Sequence, residues 1–546
     1  MKLLYKDQTV IAENGAKIAD IFKDEIDKSN KNILGCRFNN EVKSLDYSIN
    51  KDGNVDFIDY SSKDGRRIYR RGLLYIMGMA FNETFKEALL TVDYQLSNAL
   101  LCEVDNMEVT DEMISKVKDK MQEIISKDLP IVKIMMSRED AEKFYEKERT
   151  LKGRLQLDMI DKKEIMLYYC DNYYNYFYGV MPLSTGYIKV FDIEKYHNGF
   201  ILRYPAKEDP TKLQEFQENN KLMETLDDYN ELHKVLKVDT LYKLNTLIQK
   251  EKARETILVD EALHEKRLMK IVEDIKKKNN VKVILIAGPS SSGKTTFSKR
   301  LGIQLRLEGL KPVTISVDNY FVEREQTPVD EFGKYDFESI NAIDLELFNK
   351  HLQDLIDGKT IQAPTFDFLQ GKKIYKGNTM HLDKDEVLVI EGIHCLNDEL
   401  TKHIPKEYKY KIYISALTVL NIDYYNRIST TDTRLIRRIV RDYNFRGYSA
   451  KHTLSMWDSV NRGEEKNIFP FQEQADCMFN SSLVYEISVL KNYAMPLLTK
   501  ITDKDEEFSE AKRLYRLLSY FESINPNYVP NNSLLREFIG GSIFGE

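Results

Sequence analysis

The spacing of hydrophobic residues changes abruptly at residue 281. A β-branched run at 281–287 leads into a glycine-rich loop and then into a helical stretch. Strand, loop, helix and strand in this order are typical of a parallel sheet with helices on both faces. We therefore predict an α/β domain at 281–503, followed by a helical tail at 504–546.

The chain before this domain predicts three further units. Residues 1–62 alternate short β-like runs with one helical run, separated by turns such as Asn14-Gly15, which predicts a small α+β domain. Residues 63–208 stay mixed and predict a second α+β domain. Residues 209–280 are charged, nearly free of glycine and proline, and carry leucines at helical intervals, which predicts a helical connector. A chain of 546 residues is long enough for several units with cores of their own.

Composition narrows the classes of function. The chain is 42% hydrophobic and 31% charged, which favours a mostly folded protein. Its net charge is -7 and its pI is near 5.8, so nucleic acid would need a local basic patch, and nothing favours DNA. No apolar run approaches the roughly 20 residues of a membrane helix, and the start lacks a secretion signal. We expect a cytoplasmic protein without membrane contact, with five reduced cysteines, that forms a homo-oligomer.

One segment of the α/β domain has the pattern of a phosphate-binding loop. It follows the first predicted strand directly and reads Gly288-Pro289-Ser290-Ser291-Ser292-Gly293-Lys294-Thr295, with Thr296 next in the helix. Glycines let backbone N–H groups point at phosphate oxygens, and the helix N-terminus adds positive potential. Lys294 is expected to reach the β- and γ-phosphates and to be catalytic, and Thr295 to offer its hydroxyl to Mg²⁺. We therefore predict that residues 288–296, the P-loop, bind ATP.

Two carboxylates follow predicted strands of the same domain. Asp318 lies at the carboxyl end of the strand 313–317, where open α/β sheets bind their ligands, and could accept the proton of an attacking hydroxyl. An Asx turn or a helix cap is the alternative. Glu391 ends the strand 387–390 and could help to hold Mg²⁺, although an ordinary carboxylate at a strand end would look the same.

Four arginines recur at helical spacing in the last third of the chain. Arg434, Arg437, Arg438 and Arg441 fall at i, i+3, i+4 and i+7, so a helix presents most of them on one face. The phosphates of a donor nucleotide, covered by a mobile lid, would balance this positive charge. The arginines would in turn stabilise the negative charge of the transition state. A solvated basic face is the alternative.

These segments together resemble the uridine kinase and phosphoribulokinase family of P-loop kinases over roughly 281–500. The resemblance rests on the P-loop and on Asp318-Asn319-Tyr320-Phe321, Tyr335-Asp336-Phe337, Pro364-Thr365-Phe366-Asp367-Phe368, Ile390-Glu391-Gly392 and Asp432-Thr433-Arg434-Leu435-Ile436-Arg437-Arg438. It implies ATP and Mg²⁺ as cofactors and Asp318 as the base.

The same resemblance assigns the acceptor side and the lid. Asp336 would contact ribose hydroxyls, Phe366 and Phe368 would flank the base, and Tyr320 would line the substrate site. Arg437 and Arg441 would act on the transferred group as part of the lid, and Arg434 and Arg438 would bind the nucleotide. Independently, Phe366 and Phe368 lie two residues apart, so an extended segment would place both rings on one side, as base clamp or as hairpin core.

One position departs from the family pattern. Uridine kinases usually carry a base-reading histidine three residues after the second aromatic, and here that position is Gly371. Its absence weakens specificity for pyrimidines, because hydrogen-bonded recognition rejects analogues better than shape does. The leading hypothesis is transfer of the ATP γ-phosphoryl group to a nucleoside 5′-hydroxyl. The alternatives are a kinase of another sugar-bearing alcohol, such as a sugar phosphate, and an ATP-dependent RNA-binding or regulatory protein.

The N-terminal half resembles part of threonyl-tRNA synthetases. Residues 1–62 resemble the β-grasp TGS unit, and residues 63–208 resemble the second additional domain, which carries the editing site, best at 184–189 and 200–203. The positions of the zinc-binding editing residues hold Arg71, Tyr75, Phe177 and Met181, none a usual zinc ligand, so the hydrolytic site is predicted to be lost. What remains is expected to bind or assemble. Its tyrosines and Arg66, Arg67, Arg70 and Arg71 would suit RNA, with packed core and solvated surface as the alternative.

Overall fold

The computed structural model describes residues 1–96, 98–147, 157, 163–329, 333, 335–367, 370–418 and 420–545. The first unit is a five-stranded sheet with two short helices, Ile18–Ile21 and Lys23–Lys28. Its strands are β1 (Lys2–Tyr5), β2 (Gln8–Ile11), β3 (Gly35–Phe38), β4 (Glu41–Lys43) and β5 (Gly53–Ile58), in the order β2-β1-β5-β3-β4. β1 and β5 pair in parallel, and the other neighbours are antiparallel. This unit therefore combines a mixed sheet with two short helices.

The second unit packs two antiparallel sheets around a long buried helix, Lys63–Thr84. Its strands are β6 (Leu90–Leu96), β7 (Ala99–Val104), β8 (Val132–Ser137), β9 (Glu164–Cys170), β10 (Tyr173–Asn175), β11 (Asp192–Tyr196) and β12 (Gly199–Arg203). They form the sheets β11-β12-β7-β6 and β10-β9-β8, with the helices Asp111–Ser126 and Arg138–Lys147 alongside. Ser62 begins the long helix by accepting a hydrogen bond from the Gly65 amide at 3.0 Å.

The predicted connector contains three helices, Asn220–Leu236, Leu241–Gln249 and Ala253–Lys277. The last of them is not a free spacer. Arg300, in the helix after the P-loop, reaches back to pair with Glu261 at 3.3 Å and Glu265 at 2.8 Å. This helix is therefore packed against the α/β domain and shares its core.

The α/β domain is built on a five-stranded parallel sheet. In chain order its strands and two small ribbons are β13 (Val283–Ala287), β14 (Lys311–Ser316), β15 (Ile361–Gln362), β16 (Thr365–Asp367), β17 (Lys372–Ile374), β18 (Thr379–Met380), β19 (Glu386–Glu391), β20 (Lys409–Ser415) and β21 (Cys477–Asn480). The sheet order is β14-β19-β13-β20-β21, and every neighbouring pair is parallel. All five carboxyl ends therefore lie along one edge, with the fully buried β13 in the centre.

Helices cover this sheet and continue into the tail. They are the P-loop helix Lys294–Leu307, Leu345–Ile356, the arginine helix Thr430–Arg446, Ala450–Asn467, Glu486–Leu498, Phe508–Ser519 and the short Arg536–Ile539. The stretch predicted as a helical tail is thus helical only in part. Its last portion, residues 525–545, is here called the C-terminal segment, and it buries Leu534 and Phe538. In the described part of the chain, no helix combines the length and apolar character needed to cross a membrane.

Candidate active site

The P-loop lies between the buried strand β13 and the P-loop helix. Gly293 has φ +88°, a left-handed conformation that favours glycine, and a side-chain carbon at Gly288 would lie 2.0 Å from the carbonyl oxygen of Ile414. The ammonium of Lys294 donates to the carbonyl oxygens of Gly288 at 2.8 Å and Pro289 at 3.2 Å. Lys294 therefore lies folded over its own loop.

Parallel pairing brings the two predicted carboxylates to the same edge as this loop. Glu391 pairs in register with Ile286 of β13 on one side and with Ser316, two residues before Asp318, on the other. Both oxygens of the Glu391 carboxylate lie 3.4 Å from the Thr295 hydroxyl. A hydroxyl and a carboxylate in contact are the hard oxygen ligands that Mg²⁺ takes beside its waters, so this pair fits the predicted ion.

Burial and charge act in opposite directions on these groups. Burial raises the pKa of Asp318, and the Lys294 ammonium lowers it. Burial likewise raises the pKa of Glu391, with Lys294 lowering it and Glu537 raising it further. For Lys294, burial lowers the pKa and the nearby Glu391 raises it. Lysine and carboxylates thus form one electrostatic group at the edge of the sheet, the arrangement expected where a proton is to be accepted beside a bound anion.

Two further carboxylates accept hydrogen bonds from the P-loop amides. Glu464 accepts from the Ser290 amide at 2.7 Å, and Glu537 of the C-terminal segment accepts from the Thr296 amide at 3.0 Å. The side chain of Leu534 lies against Gly293. These amides already hold anionic oxygens, which shows that the loop receives negative charge. Because of these hydrogen bonds, a bound nucleotide competes with the protein's own carboxylates for the P-loop amides.

Arg434 and Arg437 are buried and contact the backbone of the P-loop. Arg434 pairs with Glu464 and donates to the Ser290 carbonyl at 2.9 Å. Arg437 pairs with Glu486 at 2.5 Å and donates to the Ser291 carbonyl at 3.2 Å. In this conformation both side chains are neutralised and support the P-loop backbone. Arg434, predicted to bind the nucleotide, and Arg437, predicted to belong to the lid, thus face protein carboxylates in this structure.

Of the four arginines at helical spacing, Arg438 and Arg441 remain partly exposed. Arg438 donates to the Ser290 hydroxyl at 2.7 Å and pairs with Asp442 at 3.2 Å. Burial lowers the pKa of Arg441 to about 10, and its nearest carboxylate oxygen, on Asp442, lies 3.7 Å away. Arg438 therefore contacts the P-loop directly through the Ser290 hydroxyl.

On the acceptor side, the predicted residues separate into two groups. Asp336 is partly exposed and lies 3.7 Å from the Lys466 ammonium, and Phe366 is 6% exposed with its ring 5.6 Å from that of Phe321. Tyr320 faces the core instead. Its hydroxyl lies 3.1 Å from Nδ1 of His351, which corrects the prediction that it lines the substrate site. The predicted partner ring, Phe368, lies outside the described residues.

Three acidic residues of this site were missed by the sequence reasoning. Glu464 and Glu537 lie in distant helices, with no motif around them. Glu338 follows the 335–337 motif directly, and burial raises its pKa, as does Glu464, while Lys294 lowers it. Adjacency to the motif was the only available signal, and it pointed to Glu338 alone.

The predicted remnant of an editing site lies in the second unit. The Tyr75 hydroxyl donates to the carbonyl oxygens of Tyr168 at 3.1 Å and Tyr173 at 3.0 Å, and Phe177 and Met181 are buried with it. Arg71 donates to the Val180 carbonyl. Within the described ranges, no three His, Cys, Asp or Glu side chains are grouped to hold a metal. These side chains pack a core, with Arg71 at its border.

Comparisons with known proteins find relatives of the α/β domain. The Phosphoribulokinase / Uridine kinase family matches residues 283–488. Uridine kinase of Ligilactobacillus salivarius (strain UCC118) is 30% identical over 184 residues, which cover 34% of this chain and 77% of that protein. Uridine kinase of Borrelia turicatae (strain 91E135) is 30% identical over 214 residues, which cover 38% of this chain and 93% of that protein. A solved structure described as a possible uridine kinase from Bacillus stearothermophilus is 18% identical, covers 39% of this chain and all of that chain, and gives a TM-score of 0.26.

Proposed function

Because this chain belongs to the phosphoribulokinase / uridine kinase family and is a phosphotransferase, we propose that it transfers the γ-phosphoryl group of ATP to the 5′-hydroxyl of a nucleoside. The observation that carries the proposal is the convergence of the P-loop, Lys294, Asp318 and Glu391 along one edge of the sheet. This convergence supports a reaction between a donor on the P-loop and an acceptor at Asp318.

The donor side is formed by the P-loop and its lysine. The amides of Ser290 and Thr296 would bind phosphate oxygens once Glu464 and Glu537 release them. Lys294 would exchange its two carbonyl acceptors for the β- and γ-phosphates. Thr295 and Glu391 would hold Mg²⁺, which supplies charge neutralisation at the phosphates when bound.

The acceptor side is organised by Asp318. Its carboxylate would accept the proton of the attacking hydroxyl, a role typically worth about 10²- to 10⁴-fold in rate. Burial raises its pKa, which makes it a better proton acceptor, and the neighbouring Lys294 favours its ionised form at neutral pH. Asp336 would hold ribose hydroxyls, and the ring of Phe366 would contact the base. Arg438 and Arg441 would add positive charge where charge develops on the transferred group.

A purified-protein assay of ADP release with a panel of nucleosides tests the proposal. We expect saturable turnover with at least one nucleoside and a loss of about 10²- to 10⁴-fold for Asp318→Asn. Asp357→Asn is the matched control, because Asp357 is an exposed aspartate at the end of the helix Leu345–Ile356. The assignment is wrong if no nucleoside is phosphorylated or if both variants keep full turnover.

Gly371 favours a broad acceptor range. It has φ +68° and lies against the Arg324 side chain, so this position offers the base no side-chain hydrogen bond. We therefore include purine nucleosides and sugar phosphates in the panel. Preference for a sugar phosphate over every free nucleoside would replace the nucleoside assignment with the second candidate, a sugar-phosphate kinase.

A further inference from the structure

A second site is suggested by a cavity of about 590 Å³ between the second unit, the start of the arginine helix and the helix Phe508–Ser519. Eight of its lining side chains are cationic and four are anionic, whereas the whole chain carries a net charge of -7. A concentration of positive charge in a concave surface on an acidic protein favours an anionic ligand. The volume is in the range of small-molecule sites.

Some of these cations pair with carboxylates, and others donate their hydrogen bonds to uncharged acceptors. Arg513 binds the Asp432 carboxylate at 2.9 and 2.6 Å. By contrast, Arg70 donates to the side-chain oxygen of Gln95 at 3.0 Å, and Arg427 donates to the Asp93 carbonyl at 2.7 Å. Arg71 also donates to a carbonyl, that of Val180. Three neighbouring guanidinium groups thus have uncharged acceptors, and a bound anion would relieve their mutual repulsion.

Burial further disfavours the charged form of these arginines. It lowers the pKa of both Arg71 and Arg427 to about 10, with other arginines as additional causes. The charged forms are therefore held in an environment that disfavours them. Buried arginines that line a cavity and donate to uncharged acceptors are candidates for binding an anionic ligand.

The cavity is also lined by aromatic side chains. The ring of Tyr178 lies 4.7 Å from that of Tyr176 and 4.7 Å from that of Tyr520. The Tyr178 hydroxyl is buried and has no hydrogen-bond partner among the described residues. Tyrosine rings bind the faces of planar bases, and the lone hydroxyl offers a donor or an acceptor to a base edge.

We propose that this cavity binds a nucleoside phosphate, with the phosphate on Arg70, Arg71 and Arg427 and the base against the tyrosines. The cavity also touches the catalytic machinery. Ser429 and Asp432 line it and begin the arginine helix, whose Arg434 holds the P-loop carbonyl of Ser290. A ligand that draws Arg513 away from Asp432 would therefore change the affinity of the P-loop for ATP. Binding in the cavity stands without the proposed function, and only this coupling depends on it.

The test is isothermal titration of full-length protein with uridine 5′-monophosphate and adenosine 5′-monophosphate. It is done in the Lys294→Met background, which weakens binding at the P-loop. We expect one binding event that Arg71→Met or Arg427→Met weakens at least tenfold, as expected for loss of a charge-assisted hydrogen bond. Arg71→Lys should retain part of the affinity. Arg254→Met is the control, because Arg254 is exposed and stacks on Tyr528 away from the cavity.

Thermal unfolding of the same variants separates a ligand site from a structural role. Arg71→Met should unfold at the same or a higher temperature than the parent protein, because it removes an uncompensated charge. A marked fall in unfolding temperature together with unchanged binding would overturn the proposal. Binding that survives both substitutions belongs to the acceptor pocket and would overturn it as well.

Three additional ligands identify what the cavity recognises. Inorganic phosphate and uridine should each bind more weakly than the monophosphate, since each offers half of the contacts. Equal affinity for phosphate alone would refute the role of the tyrosines, and binding of tRNA without binding of mononucleotides would refute a small-molecule site. In protein with Lys294 intact, the monophosphate should change the ATP affinity several-fold, and Arg71→Met should abolish that change. No change in the parent protein would refute the coupling.

Discussion

Glu537 competes with ATP for one backbone donor, so Glu537→Gln should tighten ATP binding. The Glu537 carboxylate accepts from the Thr296 amide at 3.0 Å, at the start of the P-loop helix. An N–H group at a helix N-terminus cannot serve a carboxylate and a phosphate at once. ATP must therefore displace Glu537, and an amide side chain, which is uncharged, should be displaced more readily.

The size of the effect follows from the contact. A hydrogen bond to a charged group contributes about 1.5 to 3 kcal/mol, and solvent screening of a partly exposed carboxylate reduces this. With roughly 1 kcal/mol removed, the dissociation constant of ATP should fall about fivefold. The substitution also removes a charge that raises the pKa of Glu391, which favours Mg²⁺ at the same edge.

Direct titration of ATP measures this better than turnover, because it reports the donor site alone. The control is Glu522→Gln, which lies just before the C-terminal segment and pairs with Gln249 at 3.0 Å. It should leave the ATP affinity unchanged. An unchanged or weaker affinity in Glu537→Gln would show that the carboxylate does not compete with the nucleotide, and the reasoning would fail.

Three other perturbations have defined outcomes. Asp318→Asn should lose turnover yet keep or raise the unfolding temperature, because burial raises the folded-state pKa of Asp318 and its ionised form at neutral pH therefore opposes folding. Glu464→Gln leaves the buried Arg434 without its partner and should cost about 3 to 5 kcal/mol in denaturant unfolding. Burial raises the pKa of Asp260 to about 8, so protonated Asp260 favours the folded state. This stabilisation is complete below the unfolded-state pKa near 3.8 and is lost as pH rises through 8. Unfolding temperatures from pH 6 to 9 should fall more steeply in the parent protein than in Asp260→Asn, and parallel curves would refute this.

The placement of Asp318 and Glu391 could be predicted because it follows from chain geometry. Each comes at the end of a run of β-branched residues, and parallel strands bring such ends to one edge. The P-loop was predictable for the same reason, since its conformation depends on glycines and on a neighbouring strand and helix. Local sequence determines these features.

The environment of the arginine helix could not be predicted in this way. Helical spacing showed that Arg434 and Arg437 share a face, but the spacing does not say what covers that face. Glu464 and Glu486 cover it, from helices that follow later in the chain. The inward turn of Tyr320 toward His351 was likewise decided by packing, because a motif fixes the backbone position and leaves the direction of the side chain open.

The sequence by itself determined that this protein has a P-loop, a carboxylate at the end of a neighbouring strand and a cluster of arginines. The tertiary structure alone decided which charges are neutralised, that Glu537 lies on the Thr296 amide, and that Arg70, Arg71 and Arg427 share a cavity. The physical reason is distance along the chain. Strand and helix patterns act over a few residues, whereas electrostatic pairing joins side chains that only folding of the whole chain brings together.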